Sequence, residues 1–424
     1  MTTRPGQSLL SRLSFVNREN HASPNQGLPF AAKTVLSILK GLYAGHLTVV
    51  LPNGQVHEFG LLNDQPVAEI RIFDWNVFRR ILRHGDIGFA EAYISGEWNT
   101  PDLLSLLELA VRNRNTLEKA IYGNWLVSFI YRVKHQLRRN TKVNSKKNIQ
   151  AHYDLGNAFY SIWLDPSMTY SSAWFKSNQI QDITQAQTAK YQAILDSLQC
   201  KPSSQILEIG CGWGGFMELA SKSGHAVTGL TLSHEQKKYA EERLGSLKES
   251  NPHYQVSLQD YRDCRSQFDG IASIEMFEAV GERYWPEYFK ALKRCLKKDG
   301  RACIQTIVID DQLFDRYRNN TDFIQQYIFP GGMLPSKLVF KDLALKAGLE
   351  IEKEFSFGED YARTLCVWYD NFNHRLDLIS ELGFDEAFIR LWNFYLMYCA
   401  AGFKEKNIDV VQFTLKHQIN NRFN

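Results

Sequence analysis

The run Gln205-Ile-Leu-Glu-Ile-Gly-Cys-Gly-Trp-Gly-Gly215 constrains this chain more than any other stretch. A short apolar segment ends in a turn with glycine at positions 210, 212 and 214, and a helical pattern starts at Phe216. Glycine lets a backbone approach a ligand closely, and the first turn of a helix offers free N–H groups. Further apolar runs at 225–232, 270–274 and 302–309 alternate with helical segments at 216–223, 233–246 and 285–298. Such alternation implies an α/β fold around a mostly parallel, doubly wound sheet. Taken alone, the turn is also compatible with a plain βα connection.

The chain has 424 residues, so two or three domains are expected. With 44% hydrophobic and 22% charged residues it is neither disordered nor fibrous. A net charge of +3 is too balanced to imply nucleic-acid binding. The charge is unevenly placed, however. Between Ala120 and Tyr153 there is no acidic residue, but there are seven basic ones: Arg132, Lys134, Arg138, Arg139, Lys142, Lys146 and Lys147. Leu126, Phe129, Ile130, Val133 and Leu137 add an apolar stripe at helical spacing. This stretch reads either as an amphipathic helix for an anionic lipid surface or as a solvated helix between domains. The seven cysteines include no C-x-x-C pair, which argues against a zinc site or a disulfide framework, and no metal is expected. No signal peptide is evident, and no apolar run reaches the roughly 20 residues of a membrane-spanning helix. The expected location is cytoplasmic, with any membrane contact peripheral.

Four segments are expected: a loose arm at 1–30, a small α+β domain at 31–115, the basic connector at 116–150 and a large domain at 151–424. In the small domain, alternating residues on either side of Pro52-Asn53-Gly54 predict a hairpin. Helical spacing then runs from Trp75 to about Arg112, interrupted by Gly85, Gly88 and Gly96, with Asn99-Thr-Pro-Asp102 opening a helix. Beyond Asp310 the pattern becomes helical and aromatic. It continues through a helix from Ser336 and a strand near 351–355 to a long helical tail from Ala362.

The turn with Glu208 just ahead of Gly210, Gly212 and Gly214 resembles the S-adenosylmethionine (SAM) turn of class I methyltransferases. The ribose-binding acid of a dinucleotide fold is absent from the next strand end, where Thr231-Leu232-Ser233 stands, and Thr231 and Gln236 are expected to hydrogen-bond the cofactor instead. A wider resemblance follows in order along the chain: His152-Tyr-Asp-Leu-Gly-Asn157, Met168-Thr-Tyr-Ser-Ser-Ala-Trp174, Met276-Phe-Glu-Ala-Val-Gly281, Tyr327-Ile-Phe-Pro330, and Tyr395-Leu396 through Cys399-Ala400. These motifs resemble the cyclopropane-fatty-acyl-phospholipid synthases and mycolic acid cyclopropane synthases. Gly85 through Tyr93 and Gly96-Glu-Trp98 resemble the smaller domain of the phospholipid enzymes.

The resemblance implies a Rossmann-like, seven-stranded class I methyltransferase sheet, with helical lid insertions after Asp310 covering an acyl tunnel. It implies methyl transfer from SAM to the cis double bond of an unsaturated acyl chain of a membrane phospholipid, with a possible homodimer. SAM would contact Tyr170, Ser171, Asp260, Tyr261 and Arg262. A cation left on the chain would be stabilised by aromatic faces in a site that excludes water. A bound bicarbonate would then take a proton, held by Glu278, Tyr361 and the backbone of Ile307 and Ser172, with Cys399 nearby.

Each assignment has a plainer counterpart. Glu278 could cap a helix, Tyr361 could be a structural tyrosine, Cys399 a small buried apolar residue, and His152 a structural hydrogen-bonding group. Three positions depart from the family pattern. Ala279 and Gln305 stand where histidines are common, and Ser172 replaces a cysteine. Glutamine keeps a donor and an acceptor but does not titrate near neutrality. A methylene- or methyl-branched product is therefore the alternative to a ring. The other rivals are a methyltransferase for soluble small molecules and a non-catalytic SAM- or lipid-binding protein.

Overall fold

The computed structural model describes residues 27–121, 155–246 and 253–418. Most of the basic connector, the arm before residue 27 and His152 lie outside the described residues.

The large domain is built on seven strands: β5 (Gln205–Ile209), β6 (Ala226–Thr231), β7 (Tyr254–Leu258), β8 (Phe268–Ile274), β9 (Leu296–Ile309), β10 (Leu349–Ser356) and β11 (Ile408–His417). Their order is β10-β11-β9-β8-β5-β6-β7. The five from β9 to β7 run parallel, while β11 lies antiparallel to both β9 and β10. Ile206 through Ile209 are all buried, as expected of a strand covered by helices on both faces. The helix His234–Gly245 begins where Ser233 caps it, its hydroxyl accepting the Gln236 N–H.

The chain leaves β5 toward β6 on one side and returns to β8 on the other. This reversal opens a crevice at the carboxyl ends of β5 and β8, where such sheets place ligands. The two strand ends nearly touch there: a Cβ built on Gly210 would lie 2.9 Å from the Met276 side chain. With φ of 81°, Gly210 also holds a backbone conformation that other residues rarely adopt.

The small sheet contains β1 (His46–Val50), β2 (Val56–Gly60), β3 (Val67–Ile72) and β4 (Trp98–Asn99), in the order β2-β1-β3-β4. The hairpin of β1 and β2 is the one the sequence predicts. The helical stretch from Trp75 divides into Asn76–Ile94, broken at Gly85, and Leu103–Arg112, with β4 between them. Asp102 caps the second helix by accepting the Ser105 N–H, so Pro101 precedes the cap rather than sitting in the first turn. The helix Phe30–Leu39 and strand β3 were not anticipated.

The largest correction is at the C-terminus. The expected helical tail is three helices, Gly358–Asn373, Leu376–Glu381 and Glu386–Lys404, followed by β11. Val410 through Leu415 are all buried, with Gln412 and Thr414 among apolar neighbours. A strand buried on both faces shows no two-residue alternation, so its period is illegible. The two sheets share one core. Arg390, on the helix Glu386–Lys404, donates to the carbonyls of Tyr93 and Trp98, and Phe394 packs on Phe89 and Tyr93.

Candidate active site

Two glutamates follow β8. Glu275 has φ of 49°, a left-handed conformation that costs a non-glycine residue on the order of 1–2 kcal/mol. That backbone aims its carboxylate at three donors. Oε1 accepts the Ser172 N–H at 2.9 Å and Gln305 Nε2 at 2.8 Å. Oε2 accepts the Tyr361 hydroxyl at 2.6 Å. Gln305 is itself fixed from behind, its Oε1 accepting Gln412 Nε2 at 3.1 Å. Tyr361 is fixed by stacking on Phe403, with ring centroids 4.4 Å apart.

Glu278 sits in the short turn Phe277–Ala279, and its Oε1 accepts the Ile307 N–H. Its carboxylate binds strand β9 rather than capping a helix. Burial, then the neighbouring Glu275, push its carboxyl up to about 8. Burial also raises Glu275, but Lys190, Tyr361, Ser172 and Gln305 all favour its charged form. Between the two, these contacts favour the proton on Glu278 and the negative charge on Glu275. Lys190 is completely buried and donates to Ser171 Oγ at 2.6 Å. Burial pushes it down to about 7, against the pull of Glu275 and Glu208.

The cofactor half of the site lies across the crevice. The open side of the Gly-rich turn is at Gly212, where an added Cβ would meet no atom within 4 Å. This leaves the backbone free for close approach by the adenosyl group. Thr231 and Gln236 are hydrogen-bonded to each other at 2.9 Å. Asp260 holds Arg262 through two bonds of 2.9 and 2.6 Å, and Tyr261 packs edge-on against Tyr288. Tyr170 meets Tyr395 hydroxyl to hydroxyl at 2.6 Å, and the Ser171 carbonyl accepts Gln187 Nε2.

A cavity of about 540 Å³ reaches the two glutamates and Tyr170, within the size range of roughly 300–1,000 Å³ typical of ligand sites. Tyr170, Glu275, Glu278, Tyr361, Ile307 and Cys399 lie at one part of it. Its apolar length continues between Ile324, Phe329 and Leu334 of the segment after Asp310, and on past Leu47, Ile70 and Leu107 of the small domain. The insertion thus covers the cavity as expected, whereas the small domain's share of the wall was not foreseen. Burial pushes the Cys399 thiol far up, so it remains protonated and unreactive.

Of the groups expected to hold bicarbonate, Ser172 and Tyr361, together with Gln305, already bind the Glu275 carboxylate. Ile307 binds Glu278. A free bicarbonate does not fit donors that the chain's own carboxylates have taken. Glu275, Lys190 and Gln412 were missed in the sequence. Glu275 did carry a signal, a second carboxylate at a strand's carboxyl end. Lys190 had none, being one lysine in the helix Ile183–Leu198.

The family model for mycolic acid cyclopropane synthetase matches residues 140–413. Tuberculostearic acid methyltransferase UfaA1 of Mycobacterium tuberculosis is 37% identical over 344 residues, 80% of each chain. Cyclopropane-fatty-acyl-phospholipid synthase of Escherichia coli K12 is 33% identical over 363 residues, covering 85% of this chain and 91% of that one. The crystal structure of mycolic acid cyclopropane synthase CmaA1 complexed with SAH and CTAB superimposes with a TM-score of 0.59 at 31% identity, covering 64% of this chain and 97% of that one. With the sheet order, the glycine turn and the residues around it, these matches place the chain in the mycolic acid cyclopropane synthetase family of SAM-dependent methyltransferases.

Proposed function

We propose that this enzyme methylates the cis double bond of an unsaturated acyl chain carried by a membrane phospholipid. The observation that carries the proposal is the largely apolar cavity whose wall includes Tyr170, Tyr361 and the Glu275–Glu278 pair. An alkyl chain needs an apolar sleeve with few polar groups, and those few must stand at the reacting carbons.

SAM, when bound at the Gly210–Gly214 turn, supplies an electrophilic methyl group. The chain's own residues do the rest. The cavity wall aligns the alkene, since a weak nucleophile reacts only when held in line. Tyr170, Tyr361 and Trp368 form an aromatic cluster beside the glutamates, with Tyr170 and Trp368 centroids 5.4 Å apart and Tyr361 and Trp368 6.3 Å apart. Tyr170 and Tyr361 line the cavity, where aromatic rings stabilise positive charge on the chain, and Trp368 packs behind them. The enclosed wall keeps water from trapping that cation as an alcohol.

The cation has two fates that use one base. Losing a proton from the new methyl group while the charge sits on the adjacent carbon closes a ring. A 1,2-hydride shift first, followed by the same proton loss, gives a methylene branch. We place the branched product ahead. The UfaA1 relative, 37% identical over 80% of each chain, is named as a methyltransferase. Ring closure is the second reading, favoured by the Escherichia coli synthase, which matches over 85% of this chain.

The test is expression in a bacterium rich in cis-unsaturated phospholipid, followed by mass spectrometry and proton NMR of the acyl chains. A product one CH2 heavier with exocyclic-methylene protons supports the first reading. Upfield ring protons support the second. No heavier acyl chain refutes both. The membrane surface is the proposed partner. Among the described residues no helix is long and apolar enough to cross a membrane.

A further inference from the structure

We propose that Glu275 is the base of this reaction: a carboxylate built into the chain stands where the family resemblance places a bound bicarbonate, and takes its donors. The proposal rests on the acyl-methylation reading above.

A carboxylate and a bicarbonate present the same planar pair of acceptor oxygens, so one set of donors can orient either but not both. Here the set is occupied from three separate elements. Ser172 N–H comes from the segment between the helices Gly156–Trp163 and Ile183–Leu198, Gln305 from β9, and Tyr361 from the helix Gly358–Asn373. Each donor is buried. The arrangement reaches one layer further, because Gln412 on β11 fixes which end of the Gln305 amide faces the glutamate. Glu275 also holds a left-handed backbone to reach these donors. A glutamate that merely filled space would not need three convergent donors and an unfavourable φ.

The placement suits a base. Glu275 lines the acyl cavity beside Tyr361 and Cys399. The neighbouring Met276 packs against the glycine turn that receives SAM. Glu278 is the poorer candidate because one of its oxygens is tied to the Ile307 N–H, and burial beside Glu275 favours its protonated form. It acts as a positioning residue that keeps the single negative charge on Glu275.

The step balances as follows. The alkene π pair forms the new carbon–carbon bond while the methyl carbon's bond to sulfur breaks, and its electrons leave with S-adenosylhomocysteine (SAH). The adjacent carbon is left cationic. Glu275 removes a proton from the new methyl group, and the freed C–H pair either closes the ring or, after the hydride shift, forms the exocyclic double bond. The neutral lipid departs, and protonated Glu275 returns one proton to solvent.

The test uses the purified full chain, buffers stripped of carbon dioxide or supplemented with bicarbonate, and vesicles of cis-monounsaturated phosphatidylglycerol. Wild type is expected to turn over equally in both buffers. Glu275→Gln keeps the shape and should lower kcat by about 100-fold or more, the usual span for losing a general base, with SAH affinity unchanged. Glu275→Gly suits the left-handed backbone and empties the carboxylate's place, so added bicarbonate should restore its turnover.

A second readout needs no lipid. Thermal unfolding with increasing bicarbonate should leave wild type unmoved and stabilise Glu275→Gly. Wild-type turnover that requires bicarbonate, wild-type stabilisation by bicarbonate, or a Glu275→Gln enzyme of near-normal kcat would overturn the assignment. If no lipid is methylated by wild type, the acyl-methylation reading fails. The thermal titration still decides whether Glu275 holds the bicarbonate position.

Discussion

The proton shared out between Glu278 and Glu275 has a measurable effect on stability. In the unfolded chain a glutamate has its ordinary pKa near 4.5, whereas in the fold Glu278 is pushed up to about 8 by burial and by Glu275. Between those values the folded chain keeps a proton that the unfolded chain has released. The resulting stabilisation is complete below about pH 4.5 and is lost as pH rises through about 8. One such proton changes stability by at most about 1.4 kcal/mol per pH unit, and coupling to Glu275 lowers the slope below that ceiling.

Glu278→Gln mimics the protonated carboxyl. Its amide oxygen can still accept the Ile307 N–H, and its NH2 can face the charged Glu275. The variant should therefore lack this term while keeping the contacts. Denaturant midpoints of wild type and variant, taken at pH 6, 7 and 8, isolate it as the difference between two curves. Wild type should lose on the order of 1 kcal/mol relative to the variant between pH 6 and pH 7, and more by pH 8. Parallel curves across that range would show that Glu278 does not hold the proton and would refute the charge assignment of the pair.

Other consequences of the geometry can be checked separately. Tyr361→Phe removes a hydrogen bond to a charged carboxylate, a loss of roughly 1.5–3 kcal/mol, and should lower kcat by about 10- to 100-fold while leaving SAH affinity by calorimetry unchanged. Gly212→Val puts a branched side chain into the open side of the turn. It should weaken SAH binding by about 10-fold or more with far-ultraviolet circular dichroism unaltered. Leu107→Trp narrows the small-domain part of the cavity and should shift turnover toward shorter acyl chains, read by competition between vesicles of two chain lengths. Reversing Arg138 and Arg139 to glutamate should weaken co-sedimentation with anionic vesicles, each charge contributing about 1 kcal/mol.

The parts of this fold that could be read from the sequence are those with a strong local signal. β5 runs into a glycine turn whose spacing is itself informative, and the parallel strands around it are short apolar runs broken by helices. Candidate site residues were legible where they lie within or beside motifs, as Glu278 does just past β8 and Gln305 does within β9. β11 was not legible, because a strand buried on both faces loses its two-residue period and Gln412 and Thr414 dilute its apolar character. Lys190 was hidden for a similar reason. A lysine on a helix is ordinarily a solvated group, and only the packing of that helix under the sheet buries it. Glu275 lay in plain view but was read as the residue before a motif. Its importance comes from three donors contributed by segments up to about a hundred residues away, which no local pattern displays.

The cavity wall shared by both domains makes ligand occupancy and domain cohesion a single equilibrium. Leu47, Ile70 and Leu107 of the small domain face the same space as Tyr361 and Phe329 of the large one. On the proposed function, an acyl chain lying along that space would bridge the two domains and stabilise their association by mass action. The CmaA1 structure matches this chain over only 64% of its length. On the proposed function the small domain would act as a ruler for the substrate, and loosening it would change which chains are methylated before it changed whether any are.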